Sequence, residues 1–131
     1  METIRLENIE EIKTIYIHDS KIINVNCDYN NRLIKLMLDT LGVRGLGDKG
    51  IKYASLEFNC TKYIFMSFVH PWGDGISIIS FDVRKGLSIN IKPLNGIDIS
   101  NSFLTEFILN SGDKIEVVSE VLKYETSNTP M

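Results

Sequence analysis

The stretch KIINVNCDYNNRLIKLMLDT, residues 21–40, alternates apolar and polar side chains on both sides of an Asn pair. The first half places four apolar or aromatic side chains on one face: Ile23, Val25, Cys27 and Tyr29. The second half does the same with Ile34, Leu36 and Leu38. A period of two is typical of a half-buried strand, and Asn tolerates the positive φ of a two-residue turn. The stretch therefore predicts a β-hairpin that turns at Asn30-Asn31.

Further strands are predicted along the chain by similar patterns. YASLEFN (53–59) places Ala54, Leu56 and Phe58 on one face, and ISIISFDV (76–83) and LSINIKP (87–93) read as strands. KYIFMSFV (62–69) is apolar on both faces, which favours a central strand buried on both sides. Residues 101–124 fit either helix or strand, since Phe103, Leu104, Phe107 and Ile108 cluster as in a helix while KIEVV is rich in β-branched residues. The pattern leaves both possibilities open.

One helix is predicted near the N-terminus. Leu6, Ile9, Ile12 and Tyr16 lie near helical spacing, and Asn8 with Glu11 can form a capping box. The helix is expected from about Ile9 to Tyr16. The fold class that follows is mainly β, or α+β: an antiparallel β-sandwich or open barrel of six to seven strands with one or two short helices.

Length and composition indicate one soluble globular domain. The chain has 131 residues, of which 44% are hydrophobic and 24% charged. We expect a single domain over residues 1–131, with a flexible polar tail at 126–131. No apolar run approaches the roughly 20 residues that span a bilayer, and the acidic N-terminus does not resemble a secretion signal. A cytoplasmic location is expected, with Cys27 and Cys60 as reduced thiols that pack as small apolar groups.

Charge is distributed unevenly around a net value of −3. Residues 1–20 carry five acids and two bases, residues 98–131 carry six acids and two bases, and the middle carries ten bases and six acids. Such a split can orient a charged partner, although well-solvated chain ends are the simpler interpretation. No stretch concentrates Lys or Arg with aromatic residues, which disfavours nucleic-acid binding.

The Gly-rich loop from Gly42 to Gly50 contains GLGDKG, a formal match to the dinucleotide-binding pattern G-x-G-x-x-G. That mechanism needs a helix after the glycines, so that its N-terminal amides hold pyrophosphate. IKYASLEF follows instead and is predicted to be a strand. We interpret the loop as structural and expect no cofactor.

Metal and catalytic sites find little support. His18-Asp19 matches the paired ligands of metal phosphohydrolases, but the chain has only one other His, and no Cys-x-x-Cys or His-x-x-x-His spacing occurs. The simpler interpretation is that Asp19 and Ser20 bond to nearby backbone amides between the helix and the first strand. Cys27 or Cys60 with His70 is a conceivable nucleophile pair, yet both thiols fall on or beside strands. We expect neither a metal site nor catalysis.

The stretch FVHPWGDGISI, residues 68–78, holds the single Trp of the chain. Pro71, Gly73 and Gly75 suffice to build a tight connection between two strands. Trp72 then has two interpretations. It caps one end of the core, or it anchors a partner, because Trp is enriched among interface hot spots. The candidate interface consists of His70, Trp72 and Asp74.

The stretch IHDSKIINVNCDYNNRLIKLMLD resembles a set of small, mostly uncharacterised bacterial proteins that open with His-Asp-Ser, a strand, a turn and a second strand. They carry an L-x-F strand like Leu56-Glu57-Phe58. Some look like immunity proteins of contact-dependent or polymorphic toxin systems. The resemblance covers about the first half of the chain. It implies a non-enzymatic β-rich protein that binds a protein partner, and it assigns no site residues.

Three functions are compatible with the sequence. The first is a non-enzymatic cytoplasmic binding protein, of which an immunity-type toxin inhibitor is one form. The second is a small-ligand-binding or catalytic β-barrel with an internal cavity, based on the doubly apolar strand with Tyr53, Tyr63 and His70 nearby. The third is an assembly role through an exposed strand edge.

Overall fold

A computed structural model describes residues 2–67, 76–85 and 91–129 of the chain. These ranges are mainly β, as predicted. The strands are β1 (Glu2–Ile4), β2 (Lys21–Asp28), β3 (Leu33–Asp39), β4 (Tyr53–Asn59), β5 (Tyr63–Met66), β6 (Ile78–Lys85), β7 (Phe103–Leu109), β8 (Lys114–Ser119) and β9 (Val121–Ser127). The 3-10 helices of the same ranges are Leu6–Thr14, Gly47–Lys49 and Lys92–Leu94.

The strands pair into two antiparallel sheets that form an open sandwich. The five-stranded sheet has the order β1-β9-β4-β3-β2, and the four-stranded sheet has the order β5-β8-β7-β6. The described ranges hold more strands than the six to seven expected. Glu2–Ile4 pairs with β9, and residues 114–127 contain two strands.

The core lies between the inner faces of the sheets. Phe58 of one sheet meets Phe107 of the other edge to face, with ring centroids 6.2 Å apart and an interplanar angle of 88°. This is a favoured aromatic geometry, and it joins the two layers. Other large side chains are fully buried with them: Ile4, Ile17, Leu36, Leu38, Leu56, Ile78, Phe103, Val117 and Leu122.

Within the described ranges the chain crosses between the sheets at two places that lie side by side. Asn59 pairs with Val121 in one sheet, and Tyr63 pairs with Val118 in the other. Between them Cys60 adopts a φ of 52°. Strands that switch from one sheet to the other commonly do so through such a local bend. Cys60 is exposed at this bend, so the expectation that both thiols pack as apolar groups holds only for Cys27.

A second contact joins the sheets at their other edges, where β2 meets β6. Lys21 and Ser77 form an antiparallel bridge. The Ile22 amide donates to the Ile76 carbonyl at 3.1 Å, and the Asp19 amide donates to the Ile78 carbonyl at 2.8 Å. We call this contact the corner.

The β2–β3 hairpin is confirmed, but its apolar face differs from the prediction at both ends. Between Ile22 and Asn24 the register shifts by one residue, so Ile23 is the extra residue of a β-bulge. Ile22 therefore packs against the core, and Ile23 is 54% exposed. Tyr29 is 83% exposed because it lies beyond the strand.

The hairpin turn is longer than the two residues expected at Asn30-Asn31. Asp28 pairs with Leu33, so four residues connect the strands. The Asn31 amide donates to the Asp28 carboxylate at 3.2 Å, and its side chain donates to the same group at 2.8 Å. These bonds lower the pKa of Asp28. The positive φ belongs to Arg32 at 51°.

The prediction of a central strand over KYIFMSFV is wrong. β5 lies at the edge of the four-stranded sheet, and Phe65 is 40% exposed. Tyr63 lies on the outer face of β5, and there it packs against a second small core. That core consists of Leu94, Leu104 and Val118 with Ile91 and Ile99.

Residues 101–124 form strands joined by turns and no helix. β7 and β8 form a hairpin whose turn contains Gly112 at a φ of 90°. The chain then passes at Glu120 into the other sheet as β9. β9 includes Thr126 and Ser127, which pair with Ala54 and Tyr53 of β4.

The N-terminal helix begins earlier than expected and has 3-10 geometry over Leu6–Thr14. Asn8 has a non-helical conformation inside it. Its side-chain oxygen accepts from the Arg5 amide at 2.6 Å, and its side-chain nitrogen donates to Glu11 at 2.9 Å. Asn8 therefore caps the helix from within its first turn, with Arg5 as the N-cap residue. The helix begins at Leu6 and not at about Ile9.

The Gly-rich loop connects β3 to β4, and a strand follows it as predicted. Gly47 is required by a close approach, because a Cβ there would lie 1.8 Å from the Leu41 carbonyl oxygen. Gly45 and Gly50 have φ values of 89° and 80°. Backbone geometry thus accounts for these three glycines.

Candidate functional site

The predicted interface residues His70, Trp72 and Asp74 lie outside the described residues, as do residues 87–90 of the predicted strand LSINIKP. The structure does describe the chain on both sides of segment 68–75. Ser67 precedes it, and Ile76 and Ser77 follow it. The attachment of these residues determines where the segment begins and ends on the fold.

Ser67 is held by the β7–β8 turn. Its amide donates to the Lys114 carbonyl at 3.1 Å, and its hydroxyl donates to the Asp113 carboxylate at 3.0 Å. The Ser111 hydroxyl donates to the other oxygen of the same carboxylate at 2.7 Å. Asp113 is only 5% exposed. A buried carboxylate therefore organises the point at which the segment begins.

Ser77 is held by the same turn. Its amide donates to the side-chain oxygen of Asn110 at 3.2 Å, and its carbonyl accepts from the Asn110 amide at 2.9 Å. On its other side Ser77 bridges to Lys21 at the corner. Ser67 and Ser77, the described residues on either side of segment 68–75, are therefore both attached to one hairpin turn, and Ser77 also lies at the corner.

Three large apolar side chains are exposed on chain segments that meet at the corner. Ile23 and Ile79 are 54% and 46% exposed, and each is the extra residue of a β-bulge, one in β2 and one in β6. Leu41 is 57% exposed. It precedes Gly42, where an added Cβ would lie 3.6 Å from the Asp19 carbonyl oxygen. We call Ile23, Leu41 and Ile79 the corner patch.

A groove of about 680 Å³ runs over the outer face of the five-stranded sheet, beginning at Ile23. We call it the sheet groove. Its lining consists of Ile23, Asn24, Asn26, Lys35, Met37, Asp39 and Tyr53. The cross-strand register explains the grouping, since Asn24 is opposite Met37, Asn26 is opposite Lys35, and Asp39 is opposite Tyr53.

A second groove of about 440 Å³ lies between the N-terminal helix and β6. Its apolar lining comprises Ile9, Ile12, Ile15, Phe81 and Val83. Charged side chains surround it: Glu10, Lys13, Asp82 and Lys85. Lys13 bonds to Glu10 at 3.1 Å, and this bond lowers the pKa of the Glu10 carboxyl. With two acids and two bases around it, the groove has no formal net charge.

Three acids lie in one cross-strand row on the outer face of the four-stranded sheet. Glu106 is opposite Glu116 on one side and Asp82 on the other. Lys114 contacts Glu116 at 2.7 Å, which raises the pKa of Lys114. Arg84 lies 4.0 Å from Glu106 and 3.9 Å from Asp82. Like charges opposite one another disfavour the sheet, and Lys114 and Arg84 offset part of this repulsion.

The sequence could not identify this acidic row or the sheet groove as sites. Both depend on which strands are neighbours, and single-strand periodicity does not contain that information. The polar alternation in β2 did place Asn24 and Asn26 on one face, opposite the face of Val25 and Cys27. That was the available signal for the groove.

The other candidate residues are accounted for locally. His18 lies 3.0 Å from Asp19, and both side chains are exposed. The Ser20 hydroxyl donates to the Ile17 carbonyl at 2.5 Å, so it bonds to a carbonyl and not to the expected amide. Residues 2–67, 76–85 and 91–129 contain no group of three His, Cys, Asp or Glu side chains arranged to hold a metal ion.

Comparison with family models and with curated proteins finds no relationship. No family model matches this chain, and no curated protein matches it significantly.

Among the helices of the three described ranges, not one combines the length and apolar character that a membrane crossing requires.

Proposed function

We propose that this chain is a non-enzymatic binding protein whose protein partner docks on the corner patch and the adjoining segment 68–75. The observation that supports this site most is the pair of β-bulges at the corner. Bulges in edge strands turn side chains away from the regular pattern, and here both turn an isoleucine toward solvent. Exposed apolar surface is typical of interaction sites, and Ile23, Leu41 and Ile79 lie on segments that meet at the corner.

Three further observations support a surface site. The described interior is filled by large side chains such as Phe58, Phe103 and Phe107, which favours surface binding over a ligand inside the sandwich. Trp72 belongs to a segment whose end adjoins the patch, and Trp is a frequent hot-spot residue. The resemblance of residues 17–39 to immunity-like proteins favours a toxin inhibitor as the specific role, with a cytoplasmic location.

The test is a pull-down from lysate of the native cells with wild type and three variants. Ile23→Asp/Ile79→Asp introduces charge into the patch, and Trp72→Ala tests the adjoining segment. Ile97→Asp is the matched control, because Ile97 is 45% exposed in the loop that follows the 3-10 helix Lys92–Leu94. We expect one protein to be retained by wild type and the control and lost by the other two. Retention by all four folded proteins would contradict the proposed site.

The inhibitor role needs a second measurement. The captured partner is expressed alone and then together with each form of this chain. We expect the partner alone to arrest growth, wild type to restore it, and Ile23→Asp/Ile79→Asp to fail. A harmless partner would remove the inhibitor role and leave the binding role standing.

A further inference from the structure

We propose that the sheet groove binds an uncharged, polyhydroxylated small molecule of the saccharide class. This goes beyond the proposed function, because the groove is a separate surface that shares only Ile23 with the corner patch. Its volume of about 680 Å³ falls within the ~300–1,000 Å³ of small-molecule sites.

The hydrogen-bonding groups of the groove are unused. In the ranges that the structure describes, the side chains of Asn24, Asn26, Lys35 and Tyr53 have no hydrogen-bond or ion-pair partner. Each Asn amide offers both donors and an acceptor. Sugar hydroxyls also donate and accept, so the two groups are complementary. Asn24 and Asn26 are two residues apart on one face, roughly 7 Å by strand geometry, which is close to the span of one sugar ring.

The charges of the groove disfavour an ionic ligand. Lys35 and Asp39 have opposite signs and lie four residues apart in β3. Each has an opposite charge on a neighbouring strand, since Lys35 is opposite Glu57 and Asp39 is opposite Lys21. A phosphate near Lys35 would meet Glu57, and an ammonium group near Asp39 would meet Lys21. Local neutrality therefore favours a neutral ligand.

The groove also offers the apolar contact that a sugar needs. The Tyr53 ring and the Met37 side chain lie on its lining in adjacent cross-strand rows. A sugar ring exposes C–H groups on its faces, and these pack against an aromatic ring and against a flexible thioether. The groove is open to solvent and mixes polar with apolar side chains, so it would leave a wholly apolar molecule partly in water, and that class fits poorly.

The experiment is a titration of the ¹⁵N-labelled chain followed by NMR, in which Asn side-chain NH₂ signals are observed directly. The probes are glucose, galactose, N-acetylglucosamine, maltotriose and chitotriose, with inorganic phosphate and spermidine as charged controls. We expect a saccharide to shift the Asn24 and Asn26 side-chain signals saturably, with weak millimolar affinity of about 4 kcal/mol. Shifts of these signals by phosphate or spermidine alone, or by no probe, would overturn the proposal.

Variants outside the corner patch keep this test separate from partner binding. Asn24→Ala/Asn26→Ala is expected to weaken saccharide binding about tenfold or more and to leave the pull-down unchanged. Asn30→Ala, in the β2–β3 turn, is the control. Tyr53→Phe keeps the ring and is expected to bind better than Tyr53→Ala. Equal affinity in wild type and the double variant would exclude the groove.

Discussion

Ile22 and Ile23 are adjacent residues of β2 with opposite surroundings. The bulge places Ile22 against the core and leaves Ile23 54% exposed. We expect Ile22→Ala to lower the free energy of unfolding by about 1–3 kcal/mol, because it removes apolar contact. Ile23→Ala is expected to change it by less than about 0.5 kcal/mol. Urea unfolding measures both, and the reverse order would mean that β2 has no bulge.

Asp113 is expected to matter more than its position in a turn implies. It accepts hydroxyl bonds from Ser67 and Ser111 while 5% exposed. Asp113→Asn replaces one acceptor oxygen by a donor, so we expect a loss of about 1–3 kcal/mol in the free energy of unfolding. Asp98→Asn is the matched control, because Asp98 bonds similarly to Ser100 but is exposed. Equal effects in thermal unfolding would contradict the anchoring role of Asp113.

The two sheets carry central acids with opposite cross-strand neighbours. Glu106 lies between Glu116 and Asp82, whereas Glu57 lies between Lys35 and Lys123. We expect Glu106→Gln to raise the free energy of unfolding and Glu57→Gln to lower it, each by about 0.5 kcal/mol.

Ionic strength provides the control for the substitutions Glu106→Gln and Glu57→Gln. Both effects should shrink as ionic strength rises, because salt screens exposed charges. The measurement is urea unfolding at low and high salt. Effects of the same sign would show that the strand register does not govern these charges.

At the level of whole elements, prediction from sequence succeeded where periodicity was local. Leu36 and Phe58 were placed on the core face from alternation alone, and both are fully buried. β5 was misassigned because Tyr63 packs against Leu94, which belongs to a 3-10 helix distant in sequence. Apolar character on two faces can thus indicate a second small core as well as a central strand.

The candidate site was less predictable than the fold. The bulges at Ile23 and Ile79 depend on the partners of edge strands, and an extra residue leaves no mark in a single strand. The contact between β2 and β6 joins residues more than fifty positions apart. Only the neighbouring segment with Trp72 was marked by the sequence, through its residue types.

Two tyrosines make the stability of the whole molecule sensitive to alkaline pH. Burial raises the pKa of Tyr124, and burial followed by the charge of Glu116 raises that of Tyr63. The folded chain therefore keeps these protons to higher pH than the unfolded chain. Above the ordinary value of 10.0, the unfolded state ionises first, and stability falls as pH rises through the folded-state pKa.

The corresponding variant is Tyr124→Phe. We expect it to lose less stability than wild type between about pH 9 and about pH 11, and to match the wild-type slope near neutrality. Tyr29→Phe is the control, because the Tyr29 ring is 83% exposed. Urea unfolding across this range measures the slopes, and identical slopes in wild type and Tyr124→Phe would contradict the role of burial.

Partner binding at the corner patch is tested most directly by site-specific photo-crosslinking in the native cells. A photoreactive phenylalanine is placed at Ile79, and in a separate chain at the control position Ile97, each of which is about half exposed. We expect irradiation to join one cellular protein to position 79 and none to position 97. Adducts at neither position, or the same adduct at both, would contradict a binding site at the corner.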